Sequence, residues 1–266
     1  MNRIDKTFRR LRLSGKKAFI TYITAGDPDL KATERIVPAL AGAGADIIEL
    51  GIPFSDPLAD GPTIQRAIQR SLEKGCTVKK VFALVQHLRK KTEVPLVFMT
   101  YYNIIFNYGT AAFVRDAKKA GADGVIVPDL PMEEAHDLRK AADRERFHLI
   151  MLTAPTTSPE RFRRIAACSR GFVYHVSLTG VTGERKKLSG ELKDDVKSFK
   201  KTTPKPVCVG FGVSTPAQAR GVAAVADGII VGSAIIRIIE KNLTNRAAMV
   251  RRIEKFAGAI ADAVHG

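Results

Sequence analysis

Eight short apolar stretches, each followed by a longer amphipathic one, constrain this chain more than any other feature. They fall at residues 19–24, 47–50, 96–100, 124–127, 149–152, 172–176, 207–209 and 228–231. Stretches this short and this uniformly apolar read as strands covered on both faces, the condition of a parallel sheet. Strand and helix alternating eight times within 266 residues predict an α/β chain folded as a single (β/α)8 TIM barrel, one catalytic domain over residues 1–266. An open doubly wound sheet is the rival. It would want a Gly-x-Gly-x-x-Gly turn after its first strand, whereas this strand ends in Thr24-Ala25-Gly26-Asp27-Pro28. A weak internal repeat also favours the barrel. Ala-Gly-Ala-Asp occurs at 43–46 and 120–123, with a looser Val-Ala-Asp-Gly at 225–228, and each reads as a helix end entering the next strand. Ahead of the first strand, Ile4, Phe8 and Leu11 share one helical face, so an extra N-terminal helix is expected.

The apolar fraction of 45% is that of an ordinary globular protein. No apolar run nears the roughly 18 residues of a membrane span, and residues 1–17 lack the apolar centre of a secretory signal. An N-terminal targeting presequence is the lesser alternative, with Asp5 against it. Cys76, Cys168 and Cys208 are scattered and form no pair motif, which points to a reducing, cytoplasmic setting. The net charge of +16 is high. Its lysines and arginines are spread along the chain without interleaved aromatics. A basic solvated surface that draws in an anionic substrate is therefore expected, rather than a nucleic-acid interface.

If all strands point to one mouth, the chemistry belongs on the loops after their C-terminal ends. The second strand carries Glu49, and none of the eight strands contains a lysine or arginine to neutralise it. Burial without a cation raises a carboxyl's pKa toward neutrality, which suits a group that both gives and takes a proton. The loop after it, stiffened by Pro53, Pro57 and Pro62, holds Asp56 and Asp60. Glu49 and Asp60 are the candidate catalytic pair, and Asp56 reads as a structural or partner contact. Asp27 and Asp129, at other strand ends, are expected to bond backbone or neighbouring loops.

Gly210-Phe211-Gly212 follows the seventh strand, with Ser214 expected to cap the next helix, and Gly232-Ser233 follows the eighth. Glycine turns and helix N-termini at these two places offer backbone N–H groups to a phosphate. An aromatic loop, 101–106, follows the third strand. A glycine-bearing loop at 177–183, continued by the charged run 184–187, is expected to act as a lid. Of the five histidines, His148 and His175 lie near strands, and the set has no metal-ligand spacing, so no metal is expected. The lack of a strand lysine argues against a Schiff-base aldolase.

Residues 49–62, Glu-Leu-Gly-Ile-Pro-Phe-Ser-Asp-Pro-Leu-Ala-Asp-Gly-Pro, resemble the signature of the tryptophan synthase α subunit family. The resemblance spans nearly the whole chain. It takes in 24–28, Met99-Thr100-Tyr101-Tyr102-Asn103, Pro128-Asp129-Leu130-Pro131, Gly180-Val181-Thr182-Gly183, 210–212 and 232–233. It implies a lyase of tryptophan biosynthesis that cleaves indole-3-glycerol phosphate to indole and glyceraldehyde 3-phosphate without metal or organic cofactor. By the same resemblance Glu49 would be the acid–base group at indole C3 and the glycerol hydroxyl, and Asp60 would hold the indole N–H. Gly183, Phe211, Gly212, Gly232 and Ser233 would hold the phosphate. Tyr22, Met99, Ile126, Leu152 and Tyr174 would line the indole pocket, and Thr182 would close against Asp60. A pyridoxal-phosphate β subunit is the implied partner in an α2β2 heterotetramer, met through Pro53, Phe54, Asp56, Asn103 and Phe106. The chain departs from the family pattern at His175, where an aromatic or aliphatic residue is expected, and in the basic character of 184–187.

Two other readings share parts of this pattern. A sugar-phosphate isomerase or epimerase barrel would use the same phosphate turns, an epimerase adding a His/Asp metal cluster. A basic barrel that only binds nucleic acid or a protein would leave Glu49 and Asp60 idle.

Overall fold

The computed structural model describes residues 1–176, 190–210 and 212–266. Its eight strands are β1 (Ala18–Thr24), β2 (Ile47–Gly51), β3 (Leu96–Met99), β4 (Gly124–Ile126), β5 (His148–Thr153), β6 (Val173–Val176), β7 (Val207–Gly210) and β8 (Gly228–Val231). They pair in parallel in chain order, and β8 returns to β1 to close the barrel. Every expected strand forms, and no end moves by more than one residue.

Around the strands lie α1 (Arg3–Leu13), α2 (Leu30–Gly42), α3 (Pro62–Glu73), α4 (Val78–Leu88), α5 (Tyr102–Tyr108) and α6 (Thr110–Ala120). The described remainder holds α7 (His136–Arg144), α8 (Pro159–Cys168), α9 (Gly190–Thr202), α10 (Pro216–Ala223), α11 (Ser233–Glu240) and α12 (Arg246–His265). Two helices rather than one follow β2, β3 and β8. The segment after β3, expected as an aromatic loop, is therefore corrected to a helix. The Asp129 carboxylate accepts the Tyr102 backbone N–H at 2.9 Å, supplying an N-terminal partner from the next loop. Gly109, at φ +90°, ends the helix where a side chain would be strained. A second correction concerns Ser214. Thr215 is the residue that caps α10, its side chain accepting the Gln218 N–H, while Ser214 bonds the Gln218 side chain.

Alternation along the strands divides the core in two. Ile20, Ile47, Val97, Ile126, Ile150, Phe172, Cys208 and Ile230 form a buried cluster inside the barrel. A larger cluster, including Phe19, Ile48, Phe98, Leu149 and Ile229, joins the outer strand faces to the helices. The expected N-terminal helix closes the floor: Ile4, Phe8 and Leu11 of α1 belong to the inner cluster, with the Phe8 ring 5.6 Å from that of Phe172.

The Ala-Gly-Ala-Asp repeat has a structural reason. Asp46, Asp123 and Asp227 each precede an even-numbered strand, and each carboxylate accepts a backbone N–H at the start of the preceding strand. The donors are Phe19, Leu96 and Val207, all at 3.0 Å. Arg10, Arg89 and Lys200 pair with the three aspartates in turn. In the two full copies Gly44 and Gly121 have φ +98° and +102°, ending the helix so that the aspartate meets its strand.

Candidate active site

Strand alternation puts Tyr22, Glu49, Met99, Ile126, Leu152 and Tyr174 inside the barrel, above the closed floor. Register sets Tyr22 beside Glu49, Met99 beside Ile126, and Leu152 beside Tyr174. The residues expected to line an indole pocket are thus set inside the barrel as three register pairs, staggered from one to the next. Glycines make the room for its two tyrosines. A Cβ on Gly51 would collide with the Tyr22 hydroxyl, one on Gly210 would lie 2.8 Å from the Tyr174 hydroxyl, and one on Gly232 would lie 3.2 Å from the Tyr22 Cβ. The Tyr22 hydroxyl is 3.3 Å from Thr24 Oγ1.

Glu49 is fully buried, and neither carboxylate oxygen has a hydrogen-bond partner among the described residues. Burial alone pushes its pKa up to about 8. A structural carboxylate would be expected to find a cation, as Asp27 does: that group, 1% exposed, takes two hydrogen bonds from Arg70 at 2.8 and 2.9 Å. Burial raises the Asp27 pKa while Arg70 opposes it. Asp60 stands on the loop between β2 and α3. Burial raises its pKa too, and the Tyr101 hydroxyl, donating to Oδ2 at 2.8 Å, works the other way. Glu49 and Asp60 both help to hold the Tyr174 and Tyr22 phenols protonated, behind the larger effect of burial, which places all four groups within one electrostatic neighbourhood.

The residues expected to hold phosphate divide between described and undescribed positions. Gly212 has φ +54°, in the left-handed region. Gly232 is the N-cap of α11 and Ser233 its first residue, so the first turn presents N–H groups that have no acceptor within the helix. Thr182, Gly183 and Phe211, together with the run 184–187 and the expected lid, lie outside the described residues.

On the rim, Phe54 packs half-buried against Tyr101 with ring centroids 5.2 Å apart. Asp56 and Asn103 are exposed, and Phe106 is 68% exposed. Pro53 is buried and directs the loop rather than offering surface. Leu58, 92% exposed on the same loop, is an apolar side chain that sequence reasoning passed over. Tyr101 was passed over as well, because its partner Asp60 is 41 residues away and no local signal links them. His175 points away from the mouth: its Nδ1 lies 3.1 Å from Thr153 Oγ1 and its ring 5.3 Å from that of Phe199 in the helical layer. His148 bonds Asp5 of α1 at the floor, at 2.9 Å. No cluster of three or more metal-ligating side chains occurs among the described residues.

A closed eight-stranded parallel barrel with unpaired acid at its mouth defines the class of (β/α)8-barrel enzymes. Comparison with known proteins is more specific. The family model for the tryptophan synthase alpha chain matches residues 8–265. The alpha chain from Caldanaerobacter subterraneus subsp. tengcongensis is 50% identical over 256 residues, covering 96% of this chain and 97% of the relative. The solved tryptophan synthase subunit alpha from Legionella pneumophila is 39% identical with a TM-score of 0.92, covering 99% of this chain and 98% of that one. A chain of Mycobacterium tuberculosis tryptophan synthase gives 38% identity and a TM-score of 0.91, covering 100% and 99%. The chain belongs to the tryptophan synthase alpha chain family.

Proposed function

We propose that Glu49 and Asp60 carry the family's retro-aldol cleavage of indole-3-glycerol phosphate at the barrel mouth. The observation that carries the assignment is Glu49 itself, a buried carboxyl with no cation and no hydrogen-bond partner among the described residues, its pKa raised to about 8. At neutral pH it holds a proton and can deliver it to indole C3. The ring becomes an indolenine whose positive charge lies toward N1, where Asp60 holds the N–H. Glu49, now a carboxylate, takes the proton of the side-chain hydroxyl. The C–C bond then breaks, its electron pair returns to the ring as indole forms, and the hydroxyl carbon becomes the aldehyde. One proton is given and one regained, so Glu49 ends as it began.

Tyr22, Met99, Ile126, Leu152 and Tyr174 form the apolar walls in this reading. Gly183, Phe211, Gly212, Gly232 and Ser233 hold the phosphate, and Thr182 closes on Asp60. Solved neighbours include chains of tryptophan synthase. On that basis the partner is a pyridoxal-phosphate β subunit in an α2β2 assembly, met by Phe54, Asp56, Asn103 and Phe106, with Leu58 added from the exposed rim. The setting is cytoplasmic, in keeping with three free cysteines.

The test is indole release from indole-3-glycerol phosphate by the purified chain in EDTA, with and without a β subunit, beside Glu49→Gln. Release by the parent and loss in the variant are expected. Undiminished release by Glu49→Gln would remove Glu49 from the chemistry.

A further inference from the structure

On the face opposite the mouth, α1 and the segment leading into β7 enclose a groove of about 430 Å³. Its lining has six basic side chains against two carboxylates, and the hydrogen bonds sort them by task. Lys205 donates to the carbonyls of Ala166, Ala167 and Ser169 at the end of α8. Lys200 pairs with Asp227 at 2.6 Å and Lys17 lies 3.8 Å from the same carboxylate, while Asp5 is held by His148. Arg9, Arg12 and Lys16 remain, all exposed and without an ion pair among the described residues. Folding brings three like charges to one concavity without an ion pair among the described residues, although Asp227 answers Lys17 and Lys200 and backbone carbonyls answer Lys205. Beneath them the wall is apolar, from Phe8, Leu11, Pro204 and Pro206.

We propose that this groove is a second anion site, taking a nucleoside triphosphate with its phosphates on Arg9, Arg12 and Lys16 and its base or sugar against the apolar wall. The volume lies in the range of small-molecule pockets. Converging cations in a concavity focus the field on a polyanion of this size. The site rests on neither Glu49 nor Asp60, so it stands apart from the catalytic reading.

The experiment is calorimetric titration of the full chain with metal-free ATP, inorganic triphosphate and a single-stranded 20-mer DNA at low and moderate salt. Saturable 1:1 binding of ATP is expected, weakened at least about tenfold by Arg9→Glu/Arg12→Glu/Lys16→Glu and by a smaller factor by Arg12→Glu alone, with circular dichroism checking the fold. Gly232→Asp, which puts a carboxylate in the proposed phosphate cradle of the mouth, keeps the ATP binding. The triple variant keeps indole release within about twofold, as expected for charges remote from the chemistry. The proposal is overturned if ATP does not saturate, or if Gly232→Asp abolishes its binding while the triple variant does not. Inorganic triphosphate binding as tightly as ATP would overturn the nucleotide reading. DNA binding more tightly than ATP would make the face a nucleic-acid surface instead.

Discussion

The Tyr101 hydroxyl donates to Asp60 Oδ2 at 2.8 Å and accepts the Ala59 backbone N–H at 3.0 Å, so one side chain fixes both the carboxylate and the peptide that carries it. A hydrogen bond to the charged form lowers a carboxyl's pKa, and here it opposes the upward push of burial. Tyr101→Phe removes that opposition and frees the loop. The expected result is a fall of about ten- to a hundredfold in kcat/KM, the cost of one hydrogen bond to a charged group. The acidic limb of the pH profile should also move to higher pH. A loss of rate with an unmoved limb would mean that Tyr101 only packs against Phe54.

Glu49 links activity to stability. Its folded pKa of about 8 lies above the ordinary carboxyl value of 4.5. The native state therefore holds the proton more tightly than the unfolded chain, and the charged form is penalised on folding. No penalty exists below about pH 4.5; it grows as pH rises and is complete above about pH 8. Glu49→Gln abolishes the pH-dependent part. Denaturant titration should show the variant gaining on the parent between pH 5 and pH 9, by on the order of a few kcal/mol at most. The parent's kcat/KM should fall with a limb near pH 8 as the donor form is lost. A constant stability difference across that range would show that Glu49 titrates normally.

Much of this was legible in the chain because its signals are local. Short apolar runs alternating with longer amphipathic stretches read as buried strands, and Glu49, in 47–50, is conspicuous as the one carboxylate inside any of the eight. What escaped depends on contacts between distant residues. The helix at Tyr102–Tyr108 owes its start to Asp129, and the orientation of Asp60 to Tyr101. His175 stands out as a departure near the pocket only until strand alternation is applied to β6. With Tyr174 facing in, the pleat obliges its neighbour to face out.

At the rim, Leu58 and Phe106 are 92% and 68% exposed, while Phe54 is held against Tyr101. Exposed apolar side chains on the loop after β2 and on the neighbouring helix α5 are the kind that mark an interface, and a charge there costs most when the partner buries it. Leu58→Asp should weaken association with a β subunit at least about tenfold, a cost typical of a buried interface anchor, while leaving the turnover of the isolated chain within about twofold. Affinity measured by titration beside single-chain indole release separates the two effects. Unchanged affinity would place the interface elsewhere.

His175 gives the fold an acid limit. Its ring is buried between β6 and Phe199, Nε2 has no partner among the described residues, and burial pushes its pKa down to about 4 from 6.5. The native state binds the imidazole neutral, whereas the unfolded chain takes up a proton near its ordinary value. The associated stability is fully present above about pH 6.5 and is lost as pH falls through about 4. His175→Phe keeps an aromatic ring against Phe199 and removes the titration. It loses the Thr153 contact, so at pH 7.5 the variant should be no more stable than the parent. Between pH 6.5 and 4 its stability should decline less steeply, the two curves converging by on the order of a few kcal/mol. Parallel denaturation curves over that window would mean that protonated His175 is accommodated by water or by backbone movement, and that the acid sensitivity of the barrel lies in its aspartate–arginine pairs.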